Sequence, residues 1–213
     1  MVLSDLTVAV ATSAAARGPC PHAAYGCDAW PANHAREEHL RACPHGPCHC
    51  PGGDACGFVG STAALLDHIA IAHDDWLCET LHPFLDTIVL RDGPNLVVSA
   101  GDADDDKYLF LLTVDRYSFC RAVSVVCIRP RSRAAREIKA VLEHQRSMFR
   151  RRSRDRCDRH DQRTDFTVAC SDLSDHRRKR SYQLTVPDDV HGDGETYLMV
   201  GFRIVTIDAT YDE

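Results

Sequence analysis

The sequence predicts a small α+β unit followed by an antiparallel β-sandwich. Three observations carry this expectation. Six of the eleven cysteines fall between Cys20 and Cys56, interleaved there with histidines. The region that holds them, from Gly18 to about Trp76, has too few large apolar residues to build a core unaided. From about Leu81 the composition changes to short β-branched and aromatic runs separated by turn signals, the pattern of a sandwich.

The frame for these elements is a chain of 213 residues, 44% apolar, enough for one ordinary core and a smaller module. The expected divisions are a lead-in at 1–17, a cysteine- and histidine-rich unit at 18–76, and a sandwich over 81–213 interrupted by a basic insert at about 129–163. Met1 to Ala16 carries Asp5 and no basic start, so it does not read as an export signal, and the odd cysteine count points to a reducing compartment. No apolar run reaches the roughly 18 residues of a membrane span, so no membrane partner is expected. The net charge of −6 argues against a nucleic-acid coat.

In the first unit the possible ligands fall into two similar sets. Cys20, six residues, Cys27, eleven residues, His39, three residues, Cys43 is the first. Cys48, seven residues, Cys56, eleven residues, His68, four residues, His73 repeats the plan with the last cysteine exchanged for histidine. Structural zinc takes four such ligands in a tetrahedron, typically two from a loop and two from a helix. Two structural zinc ions are therefore expected. A helix over Ala64 to His73, with Ser61 or Thr62 as its cap, brings His68 and His73 together, and a helical stretch from about Asn33 places His39 and Cys43 on one face. Trp30, Leu40, Phe58, Leu65 and Leu66 are the apolar residues expected around the metals. Cys48 and Cys50 compete for one ligand position, since Cys50 would leave an interval of five residues to Cys56. His22, His34, His45 and His49 are read as solvent-facing.

In the sandwich the expected strands are Phe84–Leu90, Leu96–Ala100, Tyr108–Val114, Ala122–Ile128, Asp165–Cys170, Ser181–Val186 and Thr196–Ile207. Asp92-Gly93-Pro94 and His191-Gly192-Asp193-Gly194 supply turns. The segment 129–163 holds thirteen Arg or Lys against five Asp or Glu. Within it Ala134 to Phe149 has a helical spacing of Ile138, Val141, Leu142 and Met148, and Arg150 to Arg154 reads as solvated chain, so the segment is expected to be partly helical and partly disordered.

These residues resemble the zinc-finger region of the seven-in-absentia family of RING E3 ubiquitin-protein ligases, the SIAH-type finger, most closely its plant SINA-like branch. Cys20-Pro21-His22-Ala23-Ala24-Tyr25-Gly26-Cys27, His39, Cys43, Cys48-His49-Cys50-Pro51-Gly52, Cys56-Gly57-Phe58, His68 and His73 carry the resemblance, over about Gly18 to Asp75. In that family the first cysteine of the Cys-x-Cys pair is the ligand, which implies Cys48. The interval from Cys48 to Cys56 is one residue longer than the family's, which keeps Cys50 in contention. The resemblance also implies a TRAF-like sandwich that binds substrates and pairs as a homo- or hetero-dimer. The expected function is a zinc-binding substrate-recognition and dimerisation module acting in ubiquitin-dependent protein degradation. A RING needs eight Cys or His ligands that residues 1–19 do not contain. An E2 enzyme is accordingly expected to be reached through a RING-bearing partner, and this chain alone is read as non-catalytic.

The competing expectation is a nucleic-acid-binding finger protein using Arg129 to Arg163 and the run His176 to Arg180. Against it, the helix Ser61 to Ala72 contains Asp67 and no Arg or Lys to read bases. The basic runs suit nuclear as well as cytoplasmic residence. Cys157 and His160 lack a third group to orient them as a nucleophile and base. Asp102, Asp104, Asp105 and Asp106 lack the spacing of a calcium loop and read as a solvated turn. No catalytic residue is assigned.

Overall fold

In the computed structural model, residues 16–81, 87–99, 108–130, 137–149, 157–175, 180–191 and 196–208 are described. The described residues open with two small metal-finger-like units. In the first, a 3-10 turn at Pro21–Tyr25 leads through a second 3-10 turn at Asn33–Ala35 into helix α1, Arg36–Ala42. In the second, the short strands β1, Cys48–His49, and β2, Val59–Gly60, pair antiparallel and lead into helix α2, Thr62–Ala72. Ser61 caps α2, its hydroxyl accepting the Ala64 amide at 3.3 Å. The helix buries Leu65 and Ile69, one turn apart on one face.

Ten further strands follow: β3 Leu77–Leu81, β4 Thr87–Arg91, β5 Gly93–Ser99, β6 Tyr108–Arg116, β7 Cys120–Ile128, β8 Glu137–Phe149, β9 Cys157–Thr167, β10 Ala169–Ser171, β11 Tyr182–Pro187 and β12 Tyr197–Asp208. They form two sheets. One runs β10-β7-β6-β5-β3, with β11 also pairing β7, and the other runs β4-β12-β8-β9. Alternate residues point inward from each sheet. Val97, Phe110, Val125 and Leu184 from the first meet Leu90, Leu142, Val200 and Phe202 from the second in one buried core. Phe110 and Phe202 touch edge to face across it, ring centroids 5.4 Å apart. Each of the seven expected strand runs overlaps an observed strand. Phe84, Leu85, Ala100, the four aspartates of 102–106, Arg150 to Arg154, His176 to Lys179 and Gly192 to Gly194 lie outside the described residues.

Two expectations are corrected. The sandwich is not wholly antiparallel, because β3 runs parallel to β5 and β10 parallel to β7. The chain passes through β4, in the other sheet, between β3 and β5, and such a crossing lets the second strand return in the same direction. The larger correction concerns the basic segment. Its described parts are not an excursion but the two longest-paired strands of the second sheet, β8 and β9. The inward set of β8 is Ile138, Ala140, Leu142 and His144, spaced by two, and a helical reading arose because Ala140 and His144 carry little apolar signal while Val141 is also buried. On the outer side of β9, Arg159, Asp161, Arg163 and Asp165 are exposed in alternation. Arg163 bonds Glu143 at 3.0 Å and Asp165 at 2.9 Å, and Arg159 bonds Asp161 at 2.8 Å. β9 is the edge of its sheet, and this row of alternating charges discourages pairing with a further strand.

The second unit is seated on the outer face of the first sheet. Cys48, Leu65 and Ile69 share a buried cluster with Leu96, Leu109, Leu111 and Ile128. The His49 amide donates to the Asp172 carbonyl at 2.8 Å. A Cβ on Gly46 would stand 2.8 Å from Pro130 Cβ, so only a bare backbone fits there.

Candidate metal centres

Where the first 3-10 turn begins, the Cys20 sulfur accepts the His22 amide at 3.3 Å, and the turn closes on Gly26, whose φ of 101° suits glycine. That closure brings Cys27 back toward Cys20, and the turn of α1 adds His39, with Cys43 just past the helix end. His39 Nε2 lies 3.2 Å from Cys20 Sγ and 3.5 Å from Cys27 Sγ, and Cys20 Sγ lies 4.0 Å from Cys43 Sγ. Around tetrahedral zinc the expected edges are about 3.8 Å between two sulfurs and about 3.5 Å between sulfur and nitrogen. The four ligand atoms match that shape.

The second centre repeats the construction. Cys50 is followed by Pro51 as Cys20 is by Pro21, and its sulfur accepts the Gly52 amide at 3.4 Å. A 3-10 turn at Gly53–Ala55 returns the chain to Cys56, and α2 supplies His68 from its last turns and His73 from its cap. Cys50 Sγ stands 3.2 Å from His73 Nε2, and Cys56 Sγ 3.1 Å from His68 Nε2. In each set the four ligand atoms lie within 4.8 Å of one another. The two tetrads fit two structural zinc ions.

Cys50, not Cys48, completes the second set, which corrects the choice drawn from the resemblance. Cys48 lies in β1 opposite Gly60, with its sulfur 3.9 Å from the Thr62 hydroxyl, fully buried in the cluster beneath the finger. Burial pushes its thiol up to about 11, so it stays neutral there. The repeated Cys-Pro step, Cys20-Pro21 and Cys50-Pro51, is the sequence signal that singles out Cys50. The other seven expected ligands, Cys20, Cys27, His39, Cys43, Cys56, His68 and His73, fall in the two tetrads.

Aromatic rings brace the second centre. Phe58 stacks on His68 at 4.0 Å between ring centroids, and Trp76 stacks on His73 at 4.2 Å. Sequence reasoning named Phe58 but missed Trp76. Leu40, Leu65 and Leu66 pack near the metals as expected, whereas Trp30 is 59% exposed and does not. Of the spare histidines, His34 is exposed and His22, His45 and His49 are half-buried.

The protein around the centres sets opposing tendencies of its own. A backbone hydrogen bond at Ala29 lowers the Cys27 thiol, while burial raises Cys43 to about 11 and also raises Cys50. Burial, and then His73, lower His68, which favours the neutral imidazole that a metal requires. A bound dication would supply the positive charge that lets these buried thiols ionise.

Residues 10–81 match the Sina zinc-finger family model. The matched stretch spans both tetrads and reaches into β3. No curated protein matches the chain. Beyond the matched stretch the body is mostly β-sheet, with one short helix, α3 at Asp188–His191, among its described residues. No helix among the described residues is long and apolar enough to cross a membrane.

Proposed function

We propose that this chain is the substrate-recognition and pairing module of a Sina-type E3 ubiquitin-protein ligase, presenting protein substrates and reaching an E2 enzyme through a RING-bearing partner. The observation that carries this reading is the match of a Sina zinc finger over two complete Cys/His tetrads. A TRAF-like assignment of the body is supported by its two sheets, β11-β7-β6-β5 and β4-β12-β8-β9, packed on a shared core. A recognition role is supported by a cavity of about 360 Å³ beside the second finger. Pro51 and Gly53 line it together with the registered pairs Leu111–Val126 and Thr113–Ser124. Where β11 bulges, the Gln183 side chain, also part of the lining, accepts the Val125 amide at 2.8 Å. The side chains of this proposed module supply no covalent step; their part is to hold a partner in reach of a ubiquitin-charged E2.

Pairing and ubiquitin transfer are tested together. The zinc-loaded chain is incubated with E1, a panel of E2 enzymes and ubiquitin, with and without a RING-bearing Sina-type ligase. The expected result is no ubiquitin conjugates alone, and co-sedimentation and conjugates with the ligase. Failure to associate with any RING-bearing Sina-type protein, or E2-dependent conjugates from the chain alone, would overturn the proposal. The nucleic-acid alternative loses support from β9, where Arg159 and Arg163 are engaged with acidic neighbours.

A further inference from the structure

β10 is three residues long and runs parallel to the end of β7, with Cys170 directly opposite Cys127. Registered residues on neighbouring parallel strands face the same side, with Cα atoms about 4.8 Å apart, inside the range of about 4.4–6.8 Å that a disulfide spans. Here that side is the sandwich interior. Cys127 is buried in the main core and Cys170 packs against it half-buried. Two residues beyond Cys127 stands Arg129, whose amide donates to the Ser171 carbonyl at 3.0 Å and whose Nη1 is buried without a hydrogen-bond partner.

The surroundings make the two thiols unequal. A hydrogen bond from Cys127, with the Arg129 guanidinium assisting, holds Cys170 down at about 7, against the opposing effect of burial. The same bond, together with burial, pushes Cys127 far up. Near neutral pH the pair therefore offers one thiolate to attack and one thiol to resolve.

We propose that Cys127 and Cys170 are a redox-modified dithiol, in which Cys170 reacts with a hydroperoxide and Cys127 then closes a disulfide. In the first step the Cys170 thiolate attacks one oxygen of the hydroperoxide. An S–O bond forms, the O–O bond breaks, and the departing oxygen takes up a proton, leaving a sulfenic acid. In the second step the Cys127 sulfur displaces the sulfenic oxygen, which leaves as water with the Cys127 proton. The two thiols lose two electrons, and hydrogen peroxide becomes two waters. Closure ties β10 to β7 covalently at Cys170, two residues before the Asp172 carbonyl that receives the His49 amide of the second finger. Oxidation thereby fixes the strand that clasps the finger to the sheet.

The full zinc-loaded chain is treated with hydrogen peroxide, its remaining thiols are alkylated in denaturant, and its peptides are mapped by mass spectrometry while released zinc is followed in parallel. The expected result is a linked Cys127–Cys170 peptide pair before zinc appears in solution, at a rate that rises through pH 7. Cys170→Ser removes the linked pair, and Cys127→Ala leaves a Cys170 sulfenic acid that dimedone traps. Oxidation of the finger cysteines with zinc release while Cys127 and Cys170 remain alkylatable would overturn the proposal, as would absence of the dimedone adduct in the folded Cys127→Ala protein.

Discussion

Cys48 and Cys50 stand two residues apart, yet one is a buried neutral thiol under the finger and the other a ligand atom 3.2 Å from His73 Nε2. Their substitutions should separate cleanly. Cys50→Ser is expected to lower bound zinc from two ions to one by mass spectrometry of the purified chain. Cys48→Ala should keep both ions and cost about 1–2 kcal/mol in denaturant unfolding, the effect of trimming a small buried side chain. Gly52 is a third informative residue, since a Cβ there would stand 3.1 Å from both Cys56 Cβ and His73 Cε1. Gly52→Ala should speed zinc loss to a chelator from the second centre alone. Protons compete with zinc at the same atoms. His68 is held neutral by burial, so the contribution of its neutral form is lost as pH falls, and zinc release should begin below the ordinary imidazole value of 6.5 and be reversed on neutralisation.

At the scale of elements, the paired strands β8 and β9 show how a charged composition can hide a sheet. Between Arg159 and Val168 the exposed and shielded positions alternate without a break, a period of two written in Arg, Asp, Gln and Thr instead of in apolar residues. Hydrophobic periodicity could not report it, and the neighbouring run of arginines suggested solvated chain. The inward side of β8 makes the sharper test. Ala140 is 1% exposed in the main core, whereas its neighbour Lys139 faces outward. Ala140→Asp should destabilise the body by more than about 3 kcal/mol, because an unpaired carboxylate would enter the core. Lys139→Glu should change unfolding free energy by no more than about 0.5 kcal/mol. In a helix whose apolar stripe is Ile138, Val141 and Leu142, Ala140 would face away from the core and its substitution would cost little.

For the molecule as a whole, the second finger serves two packing tasks at once. Zinc supplies the folding free energy that its few apolar residues cannot, in the range of about 10–16 kcal/mol for small finger peptides near neutral pH. The finger in turn covers Leu96, Leu109, Leu111 and Ile128 on the outer face of the first sheet. Chelation should therefore do more than unfold residues 48–73. It should expose this apolar face, seen as a rise in fluorescence of a hydrophobic dye and as concentration-dependent light scattering, while the circular dichroism of the β-body persists. If the body unfolds in the same transition, the finger and sheet form one cooperative unit.

The sequence by itself determined the two ligand sets up to one cysteine, the capped helix that carries His68 and His73, and most of the strands. These are local properties: ligand spacing, a serine before an apolar turn and β-branched runs between turns are all written within a few residues of one another. The tertiary structure alone decided three things. It chose Cys50 over Cys48, because the apolar face beneath the finger claims one sulfur and leaves the other to the metal. It made the basic segment a pair of long strands, because β8 and β9 pair with each other and β8 with β12, and the inner side of β8 closes on a core that the other sheet completes. And it set Cys170 beside Cys127, 43 residues earlier, because a three-residue strand finds its register only against a sheet already built.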